Sequence, residues 1–192
     1  MIRFFDFLFS LFGILILSPI IIILFFIGLF DTGSPFFSQP RMGLNKRAFK
    51  LLKFRSMHLQ TESVATHFIN ENAITKWGSF LRKSKLDELP QLFNVLKGEM
   101  SFVGPRPNLL NQIELIEERG KRKIYDVRPG ITGLSQIKKI DMSTPQLLAA
   151  TDAMMIENLN SLRYFSYICL TLIGNGFGDR VHKVSSSNKT RF

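Results

Sequence analysis

The feature that most limits this chain is the stretch from Phe7 to Phe30, 24 consecutive uncharged residues with a proline near the centre. As a helix such a run measures about 36 Å, against a hydrocarbon core of roughly 30 Å, so it is long enough to span a bilayer. A cleaved signal peptide fits badly, because the apolar run is too long and no A-x-A-like site follows it. The string Ile20-Ile21-Ile22-Ile23-Leu24-Phe25-Phe26 is equally ill suited to the core of a soluble domain. The run therefore belongs in a membrane. Ser18-Pro19 governs what it does there. Pro19 cannot donate to Leu15 and its ring crowds that turn, which predicts a kink. The Ser18 hydroxyl can return a hydrogen bond to the carbonyl one turn earlier. Divided at Pro19, the run leaves arms of about 14 and 11 residues, roughly 21 and 17 Å, neither of which alone reaches the far face. Taken alone, the run leaves two topologies open: a kinked span, and a bent segment that enters and leaves by the same face.

Charge is distributed just as unevenly. Residues 1–30 hold only Arg3 and Asp6, which cancel, so the whole net charge of +10 lies in residues 31–192. A basic portion joined to an apolar one suits an anionic membrane face, phosphate-bearing ligands, or both. A solvated basic surface with no partner is the plainer reading. Arg41, Lys46, Arg47, Lys50, Lys53 and Arg55 follow the apolar run with no acidic residue among them, which places that flank on the cytoplasmic side, against anionic headgroups. The single cysteine, Cys169, cannot form an internal disulfide or a Cys-rich zinc site and reads as small apolar filler. His58, His67 and His182 show no metal-ligand spacing.

Beyond the membrane run, Asp31-Thr32-Gly33-Ser34-Pro35, Gln39-Pro40 and Gly43 predict irregular chain over residues 31–47. Alternation from Ala48 to Arg55 allows a short strand or a helical turn. Residues 58–72 read as a polar surface loop or helix. Helical spacing of Ile74, Trp77, Phe80 and Leu81 predicts one helix, and a second runs to Lys97 with Gly98 as its cap. Residues 108–124 read as a charged amphipathic helix. Residues 144–174 read as one or two more, the apolar part from Tyr164 to Ile173 resting on the membrane. The expected fold is mainly α with little sheet. It comprises a membrane helix over 1–30, a compact α-rich domain over 31–184 with amphipathic helices at the interface, and a disordered tail over 185–192.

The chemistry concentrates in Ser84-Lys85-Leu86-Asp87-Glu88-Leu89-Pro90-Gln91-Leu92-Phe93-Asn94-Val95-Leu96. Proline belongs in the first turn of a helix, where its missing N–H is not needed. With Pro90 there, Asp87 falls at or near the N-cap, Glu88 in the first turn, and Leu89, Leu92, Phe93 and Leu96 on the apolar stripe. Free backbone N–H groups stabilise a carboxylate anion at such a position, which suits a nucleophile or a metal ligand. Asp87 as a plain N-cap is the competing reading, weakened by Arg82, Lys83 and Lys85 just upstream. Val103-Gly104-Pro105-Arg106-Pro107 sets an arginine between two prolines, and Val127-Arg128-Pro129-Gly130-Ile131-Thr132-Gly133 sets another before a Pro-Gly turn. An arginine on restricted backbone loses less freedom on binding, and its planar fork matches phosphate oxygens. The sequence contains no phosphate-binding G-x-x-x-x-G-K-[ST], no G-x-G-x-x-G and no nucleophile-elbow serine, so ATPase, dinucleotide and serine-hydrolase readings lose weight.

These residues resemble the small monotopic phosphoglycosyl transferases of the bacterial sugar transferase group. Ser18-Pro19, Lys53-Phe54-Arg55-Ser56-Met57, the long run Leu86 to Pro107 and the run Arg128 to Gln136 carry the resemblance, which covers nearly the whole chain. It implies transfer of a sugar 1-phosphate from a UDP-sugar to undecaprenyl phosphate with release of UMP. That is the first membrane step in building an O-antigen, capsule or exopolysaccharide. It further implies Asp87 as the nucleophile of a covalent phosphosugar intermediate, Glu88 as its dyad partner, and Mg²⁺ at Asp87. Arg82, Arg106 and Arg128, with Pro105 and Pro107, match positions near the nucleotide phosphates, and Lys53 and Arg55 join this substrate-binding set. Ser18-Pro19 matches the break that makes the membrane helix re-entrant. The active site then faces the cytoplasm at the bacterial inner membrane, with membrane lipids and no nucleic acid as partners; a homodimer is compatible. Where many members carry Asn-Gly-Arg this chain has Lys138-Lys139-Ile140, so Lys139 is the cation left to substitute for that arginine. The rival from another class is a membrane-anchored basic module that binds anionic lipid or nucleic acid without catalysis.

Overall fold

The computed structural model describes residues 1–61 and 73–173. Helix α1 runs unbroken from Ile2 to Thr32, through Pro19. Ser18 Oγ donates to the Leu15 carbonyl at 2.8 Å, the bond expected of it. Gly33, left-handed at φ 74°, stops the helix and donates its N–H to Leu29 O. The chain then forms a hairpin, β1 (Phe36–Met42) antiparallel to β2 (Ala48–Phe54), in register from Phe36↔Phe54 to Met42↔Ala48. Strand β1 replaces the irregular chain expected there. Proline removes a ladder donor, but a two-stranded ribbon has open edges on which a missing N–H is tolerated, and Pro40 sits opposite Lys50.

Helices α2 (Lys76–Ser84) and α3 (Gln91–Lys97) follow, the latter ended by Gly98 at φ 86° as expected. A short strand β3 (Ser101–Val103) pairs in parallel with β4 (Gly130–Thr132), and α4 (Ile113–Lys121) lies between them in sequence. This helix starts later than the charge pattern suggested, because Asn108 to Gln112 are drawn into side-chain hydrogen bonds. Helix α5 (Leu134–Ile137) is a single turn. The apolar stretch after residue 144 forms two helices, α6 (Pro145–Glu157) and α7 (Ser161–Leu172), with the Asn160 side chain capping the second. Cys169 is exposed on α7 rather than filling a core. Most of the polar segment 58–72 and the tail from 185 lie outside the described residues, as does the end of the expected 31–184 domain.

Helix α1 touches this body at both of its ends. Near its C-terminal end Ile21, Leu24 and Phe25 pack with Phe54, Leu81, Trp77, Leu86 and Leu89. At its N-terminal end Ile2 and Phe5 join Val103, Met155, Tyr164 and Phe165. Its buried residues are Asp6, Ser10, Leu24 and Gly28, whereas Leu15, Ile16, Ile20, Ile22 and Ile23 around the proline are exposed. The N-terminal contact also has a polar part. Arg3 donates to the Val95 and Leu96 carbonyls at 2.7 and 3.0 Å, capping the C-terminal end of α3. Asp6 Oδ1 accepts from Ser101 Oγ (2.9 Å), the Phe102 N–H (3.0 Å) and Tyr164 Oη (2.8 Å). Burial, and then the bond to Asp6, pushes the Tyr164 hydroxyl far above its ordinary range, so it remains a donor.

Removing Asp6 strands three donors in a dry site, each at a cost of about 1–3 kcal/mol. Asp6→Ala is expected to lower the thermal midpoint of the detergent-solubilised protein clearly. An unchanged midpoint would show that the Asp6 cluster does not hold the helix.

Candidate active site

Asp87 and Glu88 lie in one 3-10 turn, Leu86–Glu88, between α2 and α3. The single helix expected to start at Asp87 does not form. Pro90 has no N–H to offer Leu86, so the ladder of α3 begins only after it, and Pro90 itself occupies the N-cap. The preceding turn is held by the shorter bonds Glu88 N to Lys85 O and Leu89 N to Leu86 O, both 3.2 Å. Lys85 enters it in the left-handed conformation, φ 58°, an uncommon state for a residue other than glycine. Asp87 is thus in a 3-10 turn ahead of the helix and not at its N-cap.

Cationic side chains converge on the dyad from two other elements. Glu88 Oε1 accepts from Lys53 Nζ at 3.3 Å and from Arg106 Nη2 at 3.2 Å. All three groups are largely withdrawn from water, with side-chain exposures of 11% for Glu88, 9% for Lys53 and 22% for Arg106. Asp87 is buried beside them at 5%. Lys53 is delivered by β2, whose inward positions include Leu51 and Lys53. The fully buried Asn94 of α3 fixes that strand. Its Oδ1 accepts from Leu52 N at 3.0 Å and its Nδ2 donates to Lys50 O at 2.8 Å, so one carboxamide occupies both backbone positions of the strand edge. Arg41, Leu51, Lys53, Gln91, Arg106, Pro107 and Gly130 line a small cavity of about 10 Å³, room for roughly one water, beside Glu88. Three cationic side chains, Arg41, Lys53 and Arg106, thus border one small cavity.

Arg106 is delivered by backbone pairing. Beyond the β3–β4 register, Gly104 N donates to Thr132 O and Gly130 N to Pro105 O, both at 2.9 Å. The two proline-bracketed arginine segments are therefore clamped together main chain to main chain. A Cβ on Gly130 would lie 2.0 Å from Gly104 N, so no other residue fits there without displacing the turn.

The remaining expected residues divide. Arg82 sits in the last turn of α2, immediately before the dyad turn. Arg128 donates its Nε to Gly98 O at 2.7 Å, at the opposite end of α3 from the dyad. Arg55 braces the start of the hairpin, donating to the Ser34 and Phe36 carbonyls, with its guanidinium over the Phe37 ring at 5.5 Å. Lys139 is exposed and left-handed at φ 61°, which suits it to the glycine position of the usual Asn-Gly-Arg rather than to the arginine position, occupied here by Ile140. Sequence reasoning passed over Asn94, a polar residue inside the apolar string Leu92 to Leu96, and treated Arg41 as a membrane-facing cation. No cluster of three or more potential metal ligands occurs among the described residues. The Asp87 and Glu88 carboxylates are the local oxygen donors, and a pair of carboxylates completed by phosphate oxygens suits magnesium.

The family model for bacterial sugar transferases matches residues 1–175 of the chain. The sugar transferase EpsL of Bacillus subtilis is 37% identical over 171 residues, covering 88% of this chain and 84% of that protein. The exopolysaccharide production protein ExoY of Rhizobium meliloti is 36% identical over 174 residues, 81% of this chain and 76% of its own. The UDP-glucose:undecaprenyl-phosphate glucose-1-phosphate transferase of Xanthomonas campestris is 44% identical over 121 residues, 60% of this chain but only 25% of that longer protein. The dyad turn and its clamped arginines lie within the matched span, and the chain belongs to the bacterial sugar transferase family.

Proposed function

We propose that this protein transfers a sugar 1-phosphate from a UDP-sugar to undecaprenyl phosphate, releasing UMP, through a covalent intermediate on Asp87. The observation that carries the reading is the buried Asp87 beside Glu88, whose carboxylate draws Lys53 and Arg106 to one point. In the first step an Asp87 oxygen attacks the sugar-bearing phosphorus. The bond from that phosphorus to the bridging oxygen breaks, and UMP departs with the electron pair. In the second step a phosphate oxygen of the lipid attacks the same phosphorus and the Asp87 carboxylate leaves, giving the lipid diphosphate sugar. Splitting one displacement into two in this way is covalent catalysis, with the carboxylate as both nucleophile and leaving group. Arg106 and Lys53 offset charge on the phosphoryl oxygens, and Arg41 extends the cationic lining of the cavity. Glu88 holds Lys53 and Arg106 in place before substrate arrives. Magnesium, held by the Asp87 carboxylate with substrate phosphates, would supply further charge neutralisation there.

The membrane segment serves the same reaction as a re-entrant helix on the cytoplasmic face of the inner membrane. Docking of Arg3 and Asp6 and of Leu24 and Phe25 onto one body supports this. A span would put the first turn on the far side of the bilayer from Ser101 and Tyr164. The relatives named for undecaprenyl-phosphate transfer and exopolysaccharide production support the acceptor and the pathway class.

Two outcomes are expected. Asp87→Asn abolishes UMP release from every member of a UDP-sugar panel while the protein stays in the membrane fraction; retained turnover removes Asp87 as nucleophile, and no turnover by the unaltered chain favours a binding module. Separately, a cysteine appended ahead of Met1 in a Cys169→Ser chain escapes a membrane-impermeant thiol reagent in intact cells and reacts after permeabilisation. Labelling in intact cells would establish a span.

A further inference from the structure

Behind the arginine turn lies an ion pair that touches neither the dyad nor its cavity. Arg119 of α4 and Asp152 of α6 meet at 2.6 Å, Nη2 to Oδ2, with side-chain exposures of 2% and 1%. Withdrawing two full charges from water costs several kcal/mol per ion, and apolar residues of similar volume often replace such a pair with no loss of stability. Stability alone is thus a poor reason for it. The other contacts of the pair indicate what else it does.

Arg119 Nη1 donates to the Arg106 carbonyl at 2.8 Å and to the Asn108 side-chain Oδ1 at 3.1 Å, gripping the two residues that flank Pro107. Asn108 Oδ1 also accepts from Tyr125 Oη at 3.0 Å, and the Asn108 carbonyl accepts from Met42 N at 2.9 Å. The second oxygen of Asp152 accepts from Ser135 Oγ at 2.6 Å, in the turn that follows the Arg128 to Gly133 segment. Four elements therefore converge on one buried pair, and the point they hold is the main chain of Arg106, whose side chain reaches Glu88 on the other side. Pro105 and Pro107 restrict the local dihedrals of this turn. They do not fix how far the whole turn stands from α3. Arg119 braces the turn at its Arg106 carbonyl.

We infer that Arg119 and Asp152 are positioning residues for sugar phosphate transfer, a rigid strut that holds the Arg106 guanidinium at the dyad. The inference rests on the function proposed above. Displacement of a phosphate-binding group by about 1 Å costs on the order of 100-fold in rate, so a small relaxation of the strut has a large kinetic effect. Lysine at position 119 can still meet Asp152, but it lacks the planar fork that grips Arg106 and Asn108 together.

The test is a double-mutant cycle on UMP release, with full-length protein in detergent or nanodiscs, well below every variant's thermal midpoint. Arg119→Lys is expected to lower kcat/KM by about 10- to 100-fold. In an Arg106→Ala background the same change is expected to cost less than about 3-fold, because the group it positions is gone. A second variant, Arg119→Met with Asp152→Leu, replaces the pair by apolar volume. It is expected to keep the thermal midpoint while losing the same activity as Arg119→Lys. Equal losses from Arg119→Lys in both backgrounds, an Arg106→Ala enzyme as fast as the unaltered one, or full activity in the Met/Leu variant would each overturn the strut. An unaltered chain that releases no UMP from any UDP-sugar would instead overturn the transfer reading, and this role with it.

Discussion

The hydrogen bonds from one carboxamide organise the rest of the site. Asn94 sits at zero exposure in a seven-residue helix and takes both the Leu52 N–H and the Lys50 carbonyl of strand β2. A helix that short is marginal in isolation, so its place comes from what it grips. One end of α3 adjoins the turn carrying Asp87 and Glu88; the other is capped by Arg3, Arg128 and Gly98. Between them Asn94 fixes the strand that presents Lys53. Remove that bridge, and Asp87 and Lys53 lose their common frame.

A second constraint acts on the other cation. Parallel pairing of β3 with β4 leaves no room for side chains where Gly104 meets Gly130, and the proline-bracketed segments become one double-walled turn. The site is thus assembled from two rigid halves, a helix–hairpin unit and a paired-turn unit, which meet at Glu88 Oε1. A carboxylate shared by two cations holds both in place, in a partly buried setting.

Much of this was legible in the sequence, for identifiable reasons. The membrane run, the Ser18 to Leu15 bond, the α3 stop at Gly98 and the pairing of chemistry around Asp87 and Arg106 all follow from local rules: apolar length, side-chain back-bonding, left-handed glycine, proline-restricted backbone. What escaped depends on partners distant in sequence. Strand β1 was hidden because a proline argues against a strand unless its edge is free. Asp87 was placed at or near the start of a helix because nothing local reveals that Pro90 starts the helix ladder afresh. Arg128 and Arg55 look alike as isolated arginines, yet one caps the far end of a helix and the other braces a hairpin. Asp6 and Arg119, on the page as a charge in an apolar run and a charge on an amphipathic helix, acquire meaning only with Tyr164 and Asp152 in place.

The docking of α1 also bears on the order of events as the chain is made. Asp6 finds its acceptor role with Ser101 and Tyr164, which follow it by 95 and 158 residues, and Arg3 waits 92 residues for the Val95 carbonyl. The apolar helix therefore leaves the ribosome long before the groups that neutralise its first turn exist. An unpaired carboxylate and guanidinium do not enter hydrocarbon, so that turn stays in water while the rest of α1 partitions into lipid. Only when α7 has been synthesised can the first turn of α1 be closed against Tyr164, so that contact is among the last of the described ones to form.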